Sequence, residues 1–354
     1  MAYTTINKST EYFTTNLWTG AGATSKTISG NSFQPDWVWV KRRSATGSHK
    51  LYDAVRGTTK DLSSDNANPE TTASGSGYLN AFNSDGFTLV QGSSDNYYVD
   101  ANGVTYVAWN WRAGGGQGTS NTDGSINTTY TSVNTTAGFS ISSYTGTGSN
   151  ATVGHGLGAV PKMIILKELN PASTRFWRVY HEGMGNSNVM YLDQTSAQAS
   201  DSAAFNSTSP TNSVFSLGTS VGVNESGKNF IAYCFAEKTG FSKFGSYIGN
   251  GYANGTFVYT GFKPAFVINK RIDSTGNWML IDNKRLGYNP AQRDLRPNLN
   301  NAEGNDETFD FLSNGFKVRT TSNDFGGGSG ATYIFMAFAE EPLVGTNNVP
   351  ATAR

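Results

Sequence analysis

A strand-like segment occurs three times in this chain. Each copy opens on a proline and reaches a lysine six residues later. Pro35 leads to Lys41 in FQPDWVWVK, Pro161 to Lys167 in VPKMIILK, and Pro264 to Lys270 in FKPAFVINK. The residues between are mostly apolar or aromatic, as in Trp37-Val38-Trp39-Val40 and Met163-Ile164-Ile165-Leu166. Proline at the mouth of a strand sits where its missing N–H costs least. A repeat at long period means that one supersecondary unit has been copied, so it is read before anything else.

Other marks recur in the same order. An aromatic-Thr-Gly turn precedes each proline: Trp18-Thr19-Gly20, Tyr144-Thr145-Gly146 and Tyr259-Thr260-Gly261. A second strand follows at Lys50 to Asp53, Trp177 to Tyr180 and Trp278 to Asp282. A third signal lies at Asp85-Gly86-Phe87, Ser213-Val214-Phe215 and Asn314-Gly315-Phe316, where Asp-Gly and Asn-Gly read as hairpin turns. Each copy closes on an aromatic strand: Tyr106 to Trp111, Phe230 to Phe235 and Tyr333 to Phe338. Pro35 to Trp111 is 76 positions, and Pro161 to Phe235 and Pro264 to Phe338 are each 74, so the spacing is nearly fixed.

These marks predict an all-β chain of three tandem antiparallel β-sandwich-like modules with very little helix. Module 1 is assigned to 1–112 and a Gly/Ser/Thr-rich linker or loop to 113–134. Module 2 takes 135–240, module 3 takes 241–345, and a tail runs over 346–354. Lys41, Lys167 and Lys270 are expected at equivalent positions. The closing strands carry large side chains on one face and mostly small apolar ones, such as Ala108, Ala232, Cys234 and Ala337, on the other. Both faces are therefore expected to be covered, the second by a neighbouring module.

Composition excludes some classes. Lys plus Arg and Asp plus Glu are 26 each, and the basic residues are scattered, which argues against nucleic acid as a partner. No run approaches the roughly 20 apolar residues of a membrane span. The first twelve residues lack the apolar centre of a signal peptide, so the expectation is a protein made in a cytoplasm and not exported by the ordinary route. Cys234, the single cysteine, reads as a buried small hydrophobe.

Segments MAYTTIN, FQPDWVWVKRRS, GFSISSYTGTGSNATVGHGLGAVPKMIILK and FVYTGFKPAFVINKR resemble a family of marine tailed-bacteriophage virion proteins, of the kind labelled tail-fibre-like or structural. The HGLG-x-x-P-K-M-I-I-x-K string, His155 to Lys167, is the most specific part. The resemblance implies a virion component assembled in the host cytoplasm, homo-oligomeric in the particle. Its partners would be other virion proteins and a host-surface glycan or protein. It supplies no catalytic residues. A tail-associated fibre or receptor-binding component is the leading expectation. A capsid decoration protein using three modules as a pseudo-trimer is the alternative. A glycan depolymerase ranks below both, because no carboxylate-rich motif stands out.

Individual residues follow from this. His49, His155 and His181 have no metal-ligand spacing, and no metal or cofactor is expected. His155, in a Gly-rich turn, reads as a backbone cap. Asp53 with Arg56, and Asp282 with Arg285, occupy matching positions and read as internal ion pairs. The triple glycines at 114–116 and 326–328 lack the Gly-Lys-Ser/Thr of a phosphate loop. Loop tyrosines Tyr97, Tyr98, Tyr252 and Tyr288 are the binding candidates, since Tyr beside Asn and Asp suits sugars and protein partners alike.

Overall fold

The computed structural model describes residues 4–170, 174–286, 289–305 and 308–341. Strands account for 42% of the chain and helix for 3%, so the expectation of an almost helix-free β protein holds.

Three larger antiparallel sheets carry the chain. The first contains β1 (Phe13–Thr19), β2 (Trp37–Arg42), β3 (Lys50–Asp53) and β4 (Thr105–Trp111), in the order β1-β4-β2-β3. The second contains β5 (Phe139–Thr145), β6 (Pro161–Glu168), β7 (Arg178–His181) and β8 (Asn229–Ala236), in the order β5-β8-β6-β7. It is extended by Tyr130–Asn134 beside β5 and by Asn188–Tyr191 and Ala199–Ser200 beyond β7. The third contains β9 (Ser242–Ile248), β10 (Lys263–Arg271), β11 (Trp278–Asp282) and β12 (Thr332–Glu341), in the order β9-β12-β10-β11.

The register repeats as well. Trp37 lies between Trp111 and Asp53, Met163 between Phe235 and His181, and Phe266 between Phe338 and Asp282. Four residues on, Lys41, Lys167 and Lys270 face Val107, Ile231 and Ile334. The lysines thus occupy equivalent places. At Pro161 and Pro264 the ladder slips by one residue, the bulge at which proline is tolerated inside a sheet.

Every central strand is buried on both faces. On β2, Val38 and Val40 pack outward with Ile28, Phe87 and Leu89 of the smaller sheet formed by Ser25–Ile28, Tyr78–Asn83 and Gly86–Val90. Trp37 and Trp39 point the other way, into a core that all three larger sheets share. The sharing is direct. Trp37 stacks on Tyr233 at 4.7 Å, Phe13 on Phe338 at 5.2 Å, and Phe235 meets Phe338 edge-on at 6.2 Å. The first sheet therefore touches the second, the first the third, and the second the third.

Two sequence expectations change here. The face that the closing strands turn toward one another is the large one, with Trp109 and Trp111, Tyr233 and Phe235, and Met336 and Phe338. The small face, with Ala108, Cys234 and Ala337, covers a core belonging to one sheet. The large residues of the closing strands fill the shared centre, while Ala108, Cys234 and Ala337 share the other face with larger rings such as Tyr106, Phe230 and Tyr333. Secondly, Tyr259-Thr260-Gly261 does not correspond to Trp18-Thr19-Gly20. Trp18 stacks on Tyr106 at 5.0 Å, Tyr144 on Phe230 at 5.3 Å, and the third such stack is Tyr247 on Tyr333 at 5.1 Å. The matching turn is Tyr247-Ile248-Gly249. A Cβ on Gly20, Gly146 or Gly249 would lie 2.1–2.4 Å from a carbonyl oxygen, so glycine is required at all three.

The 113–134 segment is a pinned loop ending in a strand. Asp36 Oδ2 accepts from the Ala113 and Gly115 amides, and Gln117 Nε2 donates to the Val55 carbonyl. The expected tail, 346–354, lies outside the described residues.

Phe235 is 1% exposed and touches rings of all three sheets. Phe235→Ala is expected to cost about 3–5 kcal/mol. Leu17→Ala, at a side chain 41% exposed, should stay within about 0.5 kcal/mol. Urea unfolding of both variants checks this contrast.

Candidate functional site

Three joints between the larger sheets are made by polar contacts in the interior. Each joint is built on a loop that offers three acceptors at two-residue spacing. In the loop after β3, the Ser63 carbonyl accepts from Trp177 Nε1 at 2.9 Å, and the Ala67 carbonyl accepts from Lys167 Nζ at 3.3 Å. Between them Asp65 Oδ1 accepts the His49 amide at 3.0 Å. In the second loop, the Tyr191 carbonyl takes Trp278 Nε1 at 2.8 Å, Asp193 Oδ1 the Trp177 amide at 3.2 Å, and the Thr195 carbonyl Lys270 Nζ at 3.4 Å. In the third, the Arg296 carbonyl faces His49 Nε2 at 3.0 Å, Asn298 Oδ1 accepts the Trp278 amide at 2.9 Å, and the Asn300 carbonyl accepts Lys41 Nζ at 3.4 Å.

The direction is cyclic. The second sheet's donors reach the first loop, the third sheet's reach the second, and the first sheet's reach the third. His49 stands where Trp177 and Trp278 stand. Its Nδ1 accepts from Trp39 Nε1 at 2.8 Å, which assigns the proton to Nε2 and makes it a donor like the indole N–H.

A second set of contacts runs the same way. Tyr233 Oη donates to Asp53 Oδ2 at 2.7 Å, and Trp109 Nε1 to Asp282 Oδ2 at 2.9 Å. Each carboxylate is also held by its own arginine, Arg56 or Arg285, as expected. At the third place the donor is absent, because Met336 is there, and the acceptor has changed with it. His181 replaces the aspartate and Met184 the arginine. The Gly183 amide donates to His181 Nδ1, so Nε2 donates to the Phe335 carbonyl at 3.1 Å. A buried carboxylate–arginine pair without its third partner would be expensive.

Burial moves the charges. It lowers Lys41 to about 7 and Lys167 and Lys270 to about 8, and raises Asp193 to about 7. The neutral Asn298 at the matching place in the third loop fits an aspartate for which burial disfavours charge.

The candidate residues distribute as follows. Tyr97 and Tyr98 are half-buried rather than open. Tyr97 donates to the Thr46 carbonyl under Arg42, whose guanidinium lies 3.4 Å from the ring centre. Tyr98 packs edge-on against Tyr97 beneath Lys50 Nζ. Tyr97 fastens the 44–48 turn, and Tyr98 backs Tyr97 against the start of β3. Tyr252 is 70% exposed. Tyr288 lies outside the described residues. His155 is buried, accepts from the Leu157 amide and reaches the Thr211 carbonyl, which is the backbone cap expected. Cys234 is buried, and burial pushes its thiol up. A cleft of about 440 Å³ separates β1 from the third sheet, lined by Phe13, Thr15, Asn31, Asn283, Lys284 and Glu340 among others. Among the described residues no helix is long and apolar enough to cross a membrane.

The joints were missed in the sequence because six of their nine acceptors, at Ser63, Ala67, Tyr191, Thr195, Arg296 and Asn300, are main-chain carbonyls. A carbonyl has no residue signature. The one available signal was Asp65, Asp193 and Asn298, which lie 30, 32 and 34 positions after Pro35, Pro161 and Pro264.

A family model described as "Domain of unknown function (DUF7483)" matches residues 8–342, so the chain belongs to that family. No curated protein and no solved structure matches it.

The three lysines make stability depend on pH. Folded, they release protons near pH 7 to 8; unfolded, near 10.4. Between these values the unfolded chain binds more protons, so stability rises with pH. Asp193 acts below this window, with stability lost as pH rises from about 4 to 7. Urea midpoints should therefore climb from pH 7.5 to 9.5, by at most about 1.4 kcal/mol per pH unit per lysine. Lys167→Met should flatten the slope by one lysine's share. A flat wild-type profile contradicts the assignment.

Proposed function

We propose that this DUF7483 chain is a non-enzymatic virion structural protein, a tail-associated fibre or receptor-binding component that contacts the host surface. In this reading its three larger sheets, each with its smaller partner, are three copies of one sandwich-like module. Together they form a pseudo-trimer within a single chain. The observation that carries the reading is the cyclic set of joints. His49, Trp177 and Trp278 donate to loops of the next unit, and Lys41, Lys167 and Lys270 do so beside them.

The physical link runs from closure to rigidity. A head-to-tail contact repeated round a closed ring leaves no free interface, so the object stays finite. A finite, stiff body with an approximate three-fold suits a site of three-fold symmetry in a larger particle, and its loops are free to vary outward. The resemblance to tailed-phage virion proteins supports the same conclusion. Asp53 and Asp282 support the non-enzymatic part, since each carboxylate is already taken by arginine and by Tyr233 or Trp109.

The pseudo-three-fold equally favours a second reading, a capsid decoration protein seated on lattice three-folds. Cryo-EM of purified particles with an antibody fragment against this chain separates them. Label at the tail is the expected result. Label spread over the head lattice would establish the second reading, and particles without the chain would overturn both. Release of reducing sugar from host polysaccharide by the purified protein would contradict the non-enzymatic assignment.

A further inference from the structure

The smaller sheet over the third larger sheet consists of Phe257–Tyr259, Gly315–Val318 and Phe309–Leu312, with Phe257–Tyr259 at its edge. Its inner face sends Val258, Phe316, Val318, Phe309 and Phe311 into the core. By strand alternation the outer face carries the residues between. Phe257 lies opposite Lys317, which lies opposite Asp310. Tyr259 lies opposite Gly315, which lies opposite Leu312. Phe257 is 44% and Tyr259 60% exposed. A Cβ at Gly315 would lie 2.1 Å from the Val258 carbonyl oxygen and 3.1 Å from the Phe257 ring, so the close strand approach requires glycine and the ring lies over it.

The chain contains its own controls. Val258 faces Phe316 as Ile28 faces Phe87 and Val153 faces Phe215. The positions of Phe257 and Tyr259 are therefore those of Thr27 and Ser29 in the first smaller sheet and of Thr152 and Gly154 in the second, which pairs Ala151–Gly154 with Val214–Leu217. In the first, Thr27 Oγ1 pairs with Thr88 Oγ1 at 3.0 Å. In the second, Thr152 bonds Ser125, and Asn121 fills the space above Gly154. The same framework thus works with small polar residues, and folding does not require the two exposed rings.

We propose that Phe257 and Tyr259, with Lys317 and Asp310 beside them, form a binding platform for a hexopyranose unit of a glycan. The inference rests on the reading of this chain as a host-contacting component and names the ligand class. Size selects the occupant. Three strands about 4.8 Å apart and two side-chain positions about 7 Å apart give a face of roughly 70 Å². A stable protein interface needs about 800 Å² on each side. One or two sugar rings fit the smaller figure. A pyranose presents an apolar C–H face that lies flat on an aromatic ring. Its hydroxyl groups donate to the Asp310 carboxylate, whose Oδ2 is also paired with Arg319 at 3.4 Å, and accept from the Lys317 ammonium.

The test uses the full chain and the substitutions that its own matched positions supply, Phe257→Thr together with Tyr259→Ser. Wild-type and variant are applied to an array of hexose oligosaccharides and bacterial surface polysaccharides, and the strongest binder is titrated by calorimetry. The expected result is binding by wild-type and at least a tenfold weaker affinity in the variant, at an unchanged Tm. Adsorption of both proteins to host cells is measured in parallel. Should the array stay blank, or the variant bind as tightly as wild-type, the platform is wrong. If both proteins nonetheless adsorb equally to cells, host contact stands and occurs elsewhere. If wild-type neither adsorbs nor binds sugar, the host-contacting reading fails too.

Discussion

One shared aromatic core holds the molecule together. Trp37, Phe13, Phe235 and Phe338 each come from a different strand, and together they join all three larger sheets. Each sheet would otherwise expose a wide apolar face of tryptophan and phenylalanine. A patch of that size does not remain open on a protein in water. The three sheets cover one another, and the remaining architecture follows from that need. Central strands become apolar on both sides, and the smaller sheets are pushed to the outside.

Such a core is non-directional and would tolerate sliding. The joints supply the direction. Each lysine ammonium is buried against two carbonyl groups, one on its own strand and one on the next sheet's loop. Displacement of a sheet would leave a buried donor without its acceptor, at a cost of about 1–3 kcal/mol or more. The contacts at Asp53, Asp282 and His181 show how closely donor and acceptor are matched. Where the closing strand offers Tyr233 or Trp109, a carboxylate receives it. Where it offers Met336, the carboxylate and its arginine are both gone.

Much of this was legible in the sequence. The three proline-to-lysine strands, their order and their near-helix-free surroundings could be read from spacing and apolar runs. Alternation showed that the closing strands had two covered faces, yet it could not say which face looked inward, since Trp109 and Ala108 are equally compatible with burial. The Tyr259 turn misled because an aromatic-Thr-Gly string is short and its neighbour Tyr247-Ile248-Gly249 has lost the threonine. The stack and register of Tyr247 on Tyr333, with the close approach at Gly249, separate them. Of the candidate tyrosines, Tyr97 and Tyr98 looked free because their polar neighbours suggested an open loop, and the cations Arg42 and Lys50 that cover them lie over forty residues away in sequence. The Phe257 platform was hidden for the opposite reason. Its significance lies in contrast with Thr27 and Thr152, and that alignment requires the register.

The shared core and the cyclic joints make one cooperative body of the three sheets. Differential scanning calorimetry tests this most directly, by comparing the total enthalpy of unfolding with the van't Hoff enthalpy of the transition. A single transition with a ratio near one is expected. Three overlapping transitions with a ratio near three would mean that the sheets unfold separately, and would contradict it.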